Sequence, residues 1–574
     1  MDRLTPIYTE KHECQDCYKC VRQCPVKAIR VQDAYATIVP EMCVYCGACV
    51  LVCPNAAKHV RNDLPRARQL IKLPTRVLVS LAPSWVTEFP QLSPQQMIAA
   101  LKRLGFAGVS ETALGAQQVS AHVAHAMQQE SGQILLSSAC PTVVAYVQKH
   151  KPELAKTITP LLSPLLAHCR MLRQHFGEGV SIVFIGPCIA KKIEADEYPE
   201  LLDLALTFED LRIWLAMERI DPLTLAPSAE EAFVPRNAEE GMLYPVDGGM
   251  IAGIQAHCNV DNASFMSFSG LAAVENALEG LDDLDPRQGL FLELLACEGG
   301  CVNGPKVTRA GNTVAKRHRV LTVARFPEDN QVPRLPELDI SRAIRPLMRG
   351  QEAPNETLIS EVLRSIGKRS LEDELNCGGC GYDSCREFGK ALIAERAERA
   401  MCVSWMRQLA FKKANVLIHK MPSAVVIVDS SLRLLECNEA FVAIIQHQLP
   451  AVTAPADLEG RKLEQLLPFH GLFASVLKND MDILDRDVRF LDTILHLSIF
   501  TIDPHAVVGA ILQDITRPAV QKEQVIRRAR EVIQKNLATV QKIAYLLGEN
   551  AADSEVTLNS IIESFSPDKL DGEE

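Results

Sequence analysis

The chain has 574 residues, enough for about four domains at roughly 150 residues each. Its 47% hydrophobic and 23% charged content excludes general disorder, and a net charge of −11 argues against a basic nucleic-acid binder. No apolar run approaches the roughly 18 to 20 residues that span a bilayer, and the polar stretch Met1–Glu13 lacks the apolar core of a secretory signal. A cytoplasmic protein without a membrane span is expected. In that setting 19 cysteines point to metal ligation rather than to a disulfide framework.

The first cysteines form two runs, Cys14-x2-Cys17-x2-Cys20-x3-Cys24-Pro25 and Cys43-x2-Cys46-x2-Cys49-x3-Cys53-Pro54. Two-residue gaps let three thiolates reach three corners of one cubane, and the fourth ligand comes from the other run. Cys14, Cys17, Cys20 and Cys53 are therefore assigned to one [4Fe–4S] cluster, and Cys43, Cys46, Cys49 and Cys24 to a second. The spacing is that of a two-cluster bacterial ferredoxin, so residues 1–62 read as a ferredoxin-like head. Zinc sites or a disulfide knot are the bland alternatives.

From about Lys72 the pattern alternates. Arg76–Ala82, Ile134–Ser137 and Ser181–Ile185 read as buried strands, and Ser93–Leu104 as an amphipathic helix, which predicts an α/β domain. Cysteines follow these strands, at Cys140 in Ser-Ser-Ala-Cys-Pro and Cys188 in Gly-Pro-Cys-Ile-Ala-Lys-Lys. Sites past the carboxyl ends of strands suit an open α/β sheet. A third segment, Leu295-Ala-Cys-Glu-Gly-Gly-Cys-Val-Asn-Gly-Pro305, supplies Cys297 and Cys301, with glycines that let the backbone approach a cluster.

These three segments resemble the signature segments of the [FeFe]-hydrogenase catalytic domain, over roughly residues 74–345. The resemblance implies an H-cluster, a [4Fe–4S] cubane joined to a di-iron unit and held by Cys140, Cys188, Cys297 and Cys301, with Cys301 as the bridging thiolate. It implies that Lys191 hydrogen-bonds a cyanide of the di-iron unit, with Glu194 three residues on. Ala82, Pro83 and Ser84 would lie beside that unit, and Pro187 and Gly300 within the cofactor-binding segments. There are departures. Ala139 stands where active members of the family carry a proton-donating cysteine, and Gly186 replaces a methionine. No relay glutamate appears in Gln117–His125, and Thr159 sits near the place of a relay serine. The third motif ends Asn303-Gly-Pro305 rather than Gly-Gly-Gln-Pro. Low turnover is expected, since losing positioned acid–base catalysis typically costs ~10²–10⁴-fold. These losses resemble the sensory branches of the family. Cys169 and Cys258 fit no motif and read as inert buried thiols.

Cys377-x2-Cys380-x4-Cys385 and then Cys402 resemble a small 4Fe–4S domain, expected over 358–418, with Ser384–Met401 as a helix returning the chain to Cys402. Zinc is the alternative there. Residues 419–517 resemble a PAS domain. Its expected elements are a hairpin of Ala424–Asp429 and Leu432–Asn438, a helix Glu439–Gln446, strands Val488–Leu497 and Ala506–Leu512, and a closing Asp514-Ile-Thr516. Asn438 and Phe441 match its Asn-x-x-Phe segment. His447, His470, His496 and Cys437 are candidate cofactor ligands there, with plain packing or surface roles as the bland reading. After Pro518, the positions Ile526, Ala529, Ile533, Asn536, Val540, Ile543 and Leu547 make a heptad seam. It predicts a signalling and dimerisation helix within 519–566. The fold class expected is thus multidomain α/β and α+β: ferredoxin-like head, hydrogenase-like domain, small 4Fe–4S domain, PAS domain and coiled-coil helix.

The function expected is an H2-responsive redox sensor with three [4Fe–4S] clusters and an H-cluster of low hydrogenase activity. Its expected partners are H2, a redox protein such as ferredoxin, hydrogenase maturation proteins, a second copy of the chain, and a signalling output protein in trans. Two other functions compete: a catalytic, ferredoxin-linked [FeFe]-hydrogenase, and a non-enzymatic iron–sulfur scaffold.

Overall fold

The computed structural model describes residues 5–516 except 130–131, 227, 229, 257–262, 282–283, 285–288, 310, 325–333 and 348–353; beyond 516 it describes 526–531 and 534. The chain divides into two compact units, Met1–Trp405 and Met406–Glu574. No helix among the described residues is long and apolar enough to cross a membrane.

The head is built twice over from the same parts. Strand Ile7–Thr9 pairs antiparallel with Lys58–Val60, and Ile29–Gln32 with Tyr35–Ile38. Two short helices, Lys19–Gln23 and Ala48–Val52, each start from a left-handed residue, Tyr18 at φ 55° and Gly47 at φ 81°. Such residues turn the chain sharply, so each cysteine run folds into a loop capped by one helical turn.

Two parallel sheets follow. One has the strand order Gly108–Glu111, Val77–Leu81, Ser181–Gly186, Leu204–Thr207. The other has the order Ala263–Ser269, Gly289–Leu295, Ile134–Leu136. Val77–Leu81 and Ser181–Gly186 are buried along their whole length, as parallel strands covered on both faces must be, and they read as continuous apolar runs. Helix Pro94–Arg103 begins at the expected residue: Ser93 caps it and shares a capping box with Gln96. The expected strands and helix are present within one or two residues of their predicted ends.

The small domain pairs helix Glu356–Ser365 with helix Cys385–Ile393, the latter capped by Ser384. The expected single helix Ser384–Met401 is not formed. It ends at Ile393, the chain turns at Glu395 (φ 52°), and a short 3-10 turn Arg399–Met401 leads into Cys402. At 1.5 Å per residue an unbroken helix would be about 27 Å long and would carry Cys402 away from Cys385; the left-handed turn brings it back.

The second unit holds one five-stranded antiparallel sheet, in the order Leu434–Cys437, Ala424–Asp429, Val507–Asp514, Thr493–Asp503, Ile483–Phe490. Helices Glu439–Gln446 and His470–Asn479 accompany it, the second of which was not expected. The expected strand Val488–Leu497 is two strands, because Leu491 (φ 53°) and Asp492 form a tight turn that pairs Phe490 with Thr493. No glycine or proline marks that turn. Buried Asn438 caps helix Glu439–Gln446 through Phe441 N, and its amide donates to Ile418 O and Ser423 O at 3.0 and 2.9 Å. Of the heptad helix, 526–531 are helical; Ile533, Asn536, Val540, Ile543 and Leu547 lie outside the described residues.

Candidate metal centres and cavity

The cysteines gather in groups. Cys14, Cys17, Cys20 and Cys53 line one small cavity of the head, and Cys24, Cys43, Cys46 and Cys49 line another, each about 20 Å³. These are the two sets that the spacing pairs. All described cysteines are free thiols. Among the described residues no three His, Cys, Asp or Glu side chains converge closely enough for a single metal ion; the cysteines stand around cavities instead. Burial pushes the Cys43 thiol up to about 12 and the Cys46 thiol to about 11. Buried thiolates therefore need positive charge among them, which iron supplies.

A larger cavity, about 110 Å³, opens where the carboxyl ends of the two parallel sheets face each other. Leu81 delivers Ala82, Pro83 and Ser84 to it, Leu136 delivers Ala139 and Cys140, Gly186 delivers Pro187 and Cys188, and Leu295 delivers Cys297 and Cys301. The four expected H-cluster ligands thus line one space. Burial pushes the Cys188 thiol up to about 11 and raises the Cys297 and Cys301 thiols as well.

Lys191 also lines this cavity. Its ammonium donates to Glu194 Oε2 at 2.7 Å and to Ser163 Oγ at 3.2 Å, leaving one of three donors for a ligand. Glu194 stands behind Lys191 as its counter-ion and does not line the cavity. Ser84 Oγ is buried at the cavity wall with no hydrogen-bond partner among the described residues. Four thiols lining one cavity, a spare ammonium donor and an orphaned hydroxyl fit a polar metal cofactor of the H-cluster kind.

Two expected residues stand elsewhere. Thr159 does not line the cavity: its hydroxyl donates to Ser138 Oγ at 3.1 Å and accepts from Ser138 N. Gly300 also lies off it; at φ 97° its backbone passes so close to Pro245 that a Cβ would stand 2.3 Å from Pro245 O. Gly186 likewise leaves no room for a side chain, since Phe184 and Ala82 fill the space. Ala139 lines the cavity with a methyl group.

Sequence reading missed Glu293, Tyr244 and Met250, which all line the cavity. Glu293 is 1% exposed; its Oε2 accepts from Ile251 N at 3.1 Å, while Oε1 has no hydrogen-bond partner among the described residues. Burial pushes this carboxyl up to about 7, against backbone N–H groups that pull it down. Tyr244 bonds Ser120 Oγ at 2.9 Å on helix Ala113–Gln129. The findable signal is the sequence Leu-Phe-Leu-Glu-Leu-Leu, a carboxylate inside an otherwise apolar strand.

In the small domain Cys380, Cys385 and Cys402 are buried and Cys377 is exposed. Cys169 is fully buried and burial raises its thiol, as an inert core residue requires; Cys258 lies outside the described residues. The PAS-region candidates do not converge. His470 Nδ1 is 3.1 Å from Leu467 O, half-buried His496 is paired with Asp487 and Asp485, His447 is exposed at a helix end, and Cys437 faces the core.

Fold and site together define an iron–sulfur redox protein with a hydrogenase-type domain. Residues 75–305 match the iron only hydrogenase large subunit, C-terminal domain; 13–57 match a 4Fe-4S dicluster domain, and 373–404 a putative Fe-S cluster family. The chain is 21% identical over 378 residues to the NADP-reducing hydrogenase subunit HndD of Solidesulfovibrio fructosivorans, covering 53% of this chain and 64% of that one. It is 23% identical over 364 residues to the periplasmic [Fe] hydrogenase large subunit of Nitratidesulfovibrio vulgaris, covering 53% and 86%. Over 48 residues it is 48% identical to a component of the ion-translocating oxidoreductase complex of Methanosarcina acetivorans, covering 8% of this chain and only 18% of that protein. Among solved structures, a variant of the [FeFe]-hydrogenase HydA1 from Chlamydomonas reinhardtii aligns at 17% identity and a TM-score of 0.38, covering 48% of this chain and 91% of that one.

Proposed function

We propose that this protein is an H2-responsive redox sensor: an H-cluster domain of low turnover, wired through [4Fe–4S] clusters to a C-terminal PAS module that acts on a partner in trans. The observation that carries it is the cavity itself, which brings together Cys140, Cys188, Cys297, Cys301 and Lys191 but presents a methyl group at Ala139. In this reading the four cysteines hold the cofactor, Lys191 and Ser84 orient its polar ligands, and the apolar wall from Ala82, Ala113 and Ala116 keeps water out. When bound, the cofactor supplies a metal site for heterolytic splitting of H2. The sheet order of the second unit, with its Asn438-capped helix, supports the PAS reading.

One observation favours the catalytic alternative. Glu293 is a protonatable group at the cavity wall with a free oxygen, and an acid poised near neutrality suits proton transfer. The deciding experiment is infrared spectroscopy of anaerobically matured protein, followed by H2-oxidation assays. The sensor reading expects CO and CN⁻ bands with turnover ~10²–10⁴-fold below that of enzymes with a positioned donor. Bands with full turnover favour the catalytic reading, and a matured protein without bands favours the scaffold.

A further inference from the structure

The small domain is fused to the head. Val21, Cys20 and Cys24 of the head share one apolar core with Ile359, Tyr382 and Phe388 of the small domain. The contact centres on the loop that carries Cys377 and Cys380. Gly381 sits at φ 94°, and a Cβ there would stand 2.8 Å from Val21 Cγ1 and 3.1 Å from Arg22 N. Only glycine lets the loop lie this close.

Two cations of the head grip that loop by its carbonyls. Lys27 Nζ donates to Gly381 O at 2.9 Å and also pairs at 3.5 Å with exposed Asp383 on the same loop, where solvent screens the carboxylate. Arg22 donates through Nη1 to Gly379 O at 3.4 Å and through Nη2 to Cys17 O at 3.0 Å, so it links the loop to a head cysteine loop. A second seam lies nearer Cys402, where Val31 N donates to Arg396 O at 3.0 Å and Asp33 N to Glu398 Oε1 at 2.6 Å. The head segment gripped by the loop, 21–27, follows Cys20 of one cysteine set and contains Cys24 of the other.

We infer that Lys27 and Arg22 are positioning residues for the cluster held by Cys377, Cys380, Cys385 and Cys402: they fix it against both cysteine sets of the head and raise its affinity for an electron. This rests on reading both modules as cubane carriers. Reducing the cluster by one electron adds one negative charge and no proton; the electron comes from a reduced head cubane, which returns to its oxidised form. An ammonium and a guanidinium beside the ligand loop favour the extra negative charge.

The test uses full-length protein with its cubanes reconstituted and no di-iron unit, so it does not depend on hydrogen chemistry. Electron paramagnetic resonance of the fully reduced protein is expected to show spin–spin interaction between the small-domain cluster and the head. In Lys27→Met or Arg22→Met, the reduced-to-oxidised ratio of that cluster at fixed potential is expected to fall about tenfold, equivalent to about 59 mV for one electron. Lys27→Arg should restore it. Gly381→Val should abolish the spin–spin interaction while iron content stays constant. A small-domain cubane with an isolated signal, and a potential unmoved in both Met variants, overturns the inference alone. About twelve irons per chain in place of about sixteen, with zinc in the small domain, overturns the cubane reading beneath it.

Discussion

At the scale of single residues, one acid that the resemblance implies is absent from the cavity wall and another group that can carry a proton is present. Ala139 contributes a methyl where a thiol is expected, and Glu293 contributes a buried carboxyl from a neighbouring strand. Ala139→Cys in matured protein is expected to raise H2 oxidation by tenfold or more; no gain would remove the missing thiol as the limit. Glu293→Gln is expected to cut the residual activity by ~10²-fold or more if this carboxyl moves the proton. Because burial raises Glu293 to about 7 and only the ionised carboxylate can accept the proton released from H2, wild-type H2 oxidation should decline below that pH, and the decline should vanish in the Gln variant. The same shift acts on stability. The native carboxyl holds its proton where the unfolded one has lost it, so between the ordinary carboxylate range and about pH 7 stability falls as pH rises.

His168 runs the opposite way. It is fully buried between Ser80 Oγ and Ser110 Oγ, each 2.8 Å away, and burial pushes it down to about 3. Burial keeps the ring neutral, and in that form one ring nitrogen donates and the other accepts. Native protein refuses a proton that unfolded chain takes up, so stability is lost as pH falls from about 6.5 towards 3, at about 1.4 kcal/mol per unit. Urea unfolding at pH 4.5 and 7 in wild type and His168→Gln measures this. An unchanged pH dependence in the variant would assign the acid lability elsewhere.

At the scale of elements, the cysteine groups were legible because ligand spacing is fixed by cluster geometry. Cys14 to Cys53 could be sorted into two sets on paper, and the structure places those sets around two cavities. The rest was hidden for definite reasons. Leu491 and Glu395 adopt left-handed backbone without being glycine, so nothing in the sequence marked the turns that split one expected strand and shorten one expected helix. Glu293 was lost in an apolar strand run, and Thr159 was placed by position in the chain although Ser138 holds it away from the cavity. Gly47 shows the same physics in a testable form. At φ 81° it lets the head meet the hydrogenase-type domain, and a Cβ there would lie 2.5 Å from Pro305 Cβ and 2.9 Å from Ile189 Cδ1. Gly47→Ala is expected to destabilise the protein by about 1–3 kcal/mol, read as a lowered Tm.

At the scale of the whole molecule, one helix contains the boundary between the two units. Helix Val403–Lys420 starts on the residue after Cys402 and ends four residues before strand Ala424–Asp429. In the proposed sensor, a charge change at Cys402 reaches the second unit along this helix, and a signal of this kind needs an element with two packings. Hydrogen exchange of matured protein under H2 and under argon should differ over 403–420 and 424–429; identical protection, with the cofactor demonstrably changing state, would leave the second unit without a signalling role. The shared core has a different consequence. Ile7 and Val21 of the head, Leu136 and Val143 of the hydrogenase-type domain and Phe388 of the small domain pack in one apolar cluster. Cysteines of all three modules lie in this core or pack against it, so iron bound at one set would stabilise the protein around the others by mass action. Damage by oxygen at a single set should therefore spread as a cooperative loss of metal, and calorimetry of partly oxidised samples should show holo and collapsed populations without a ladder of intermediates.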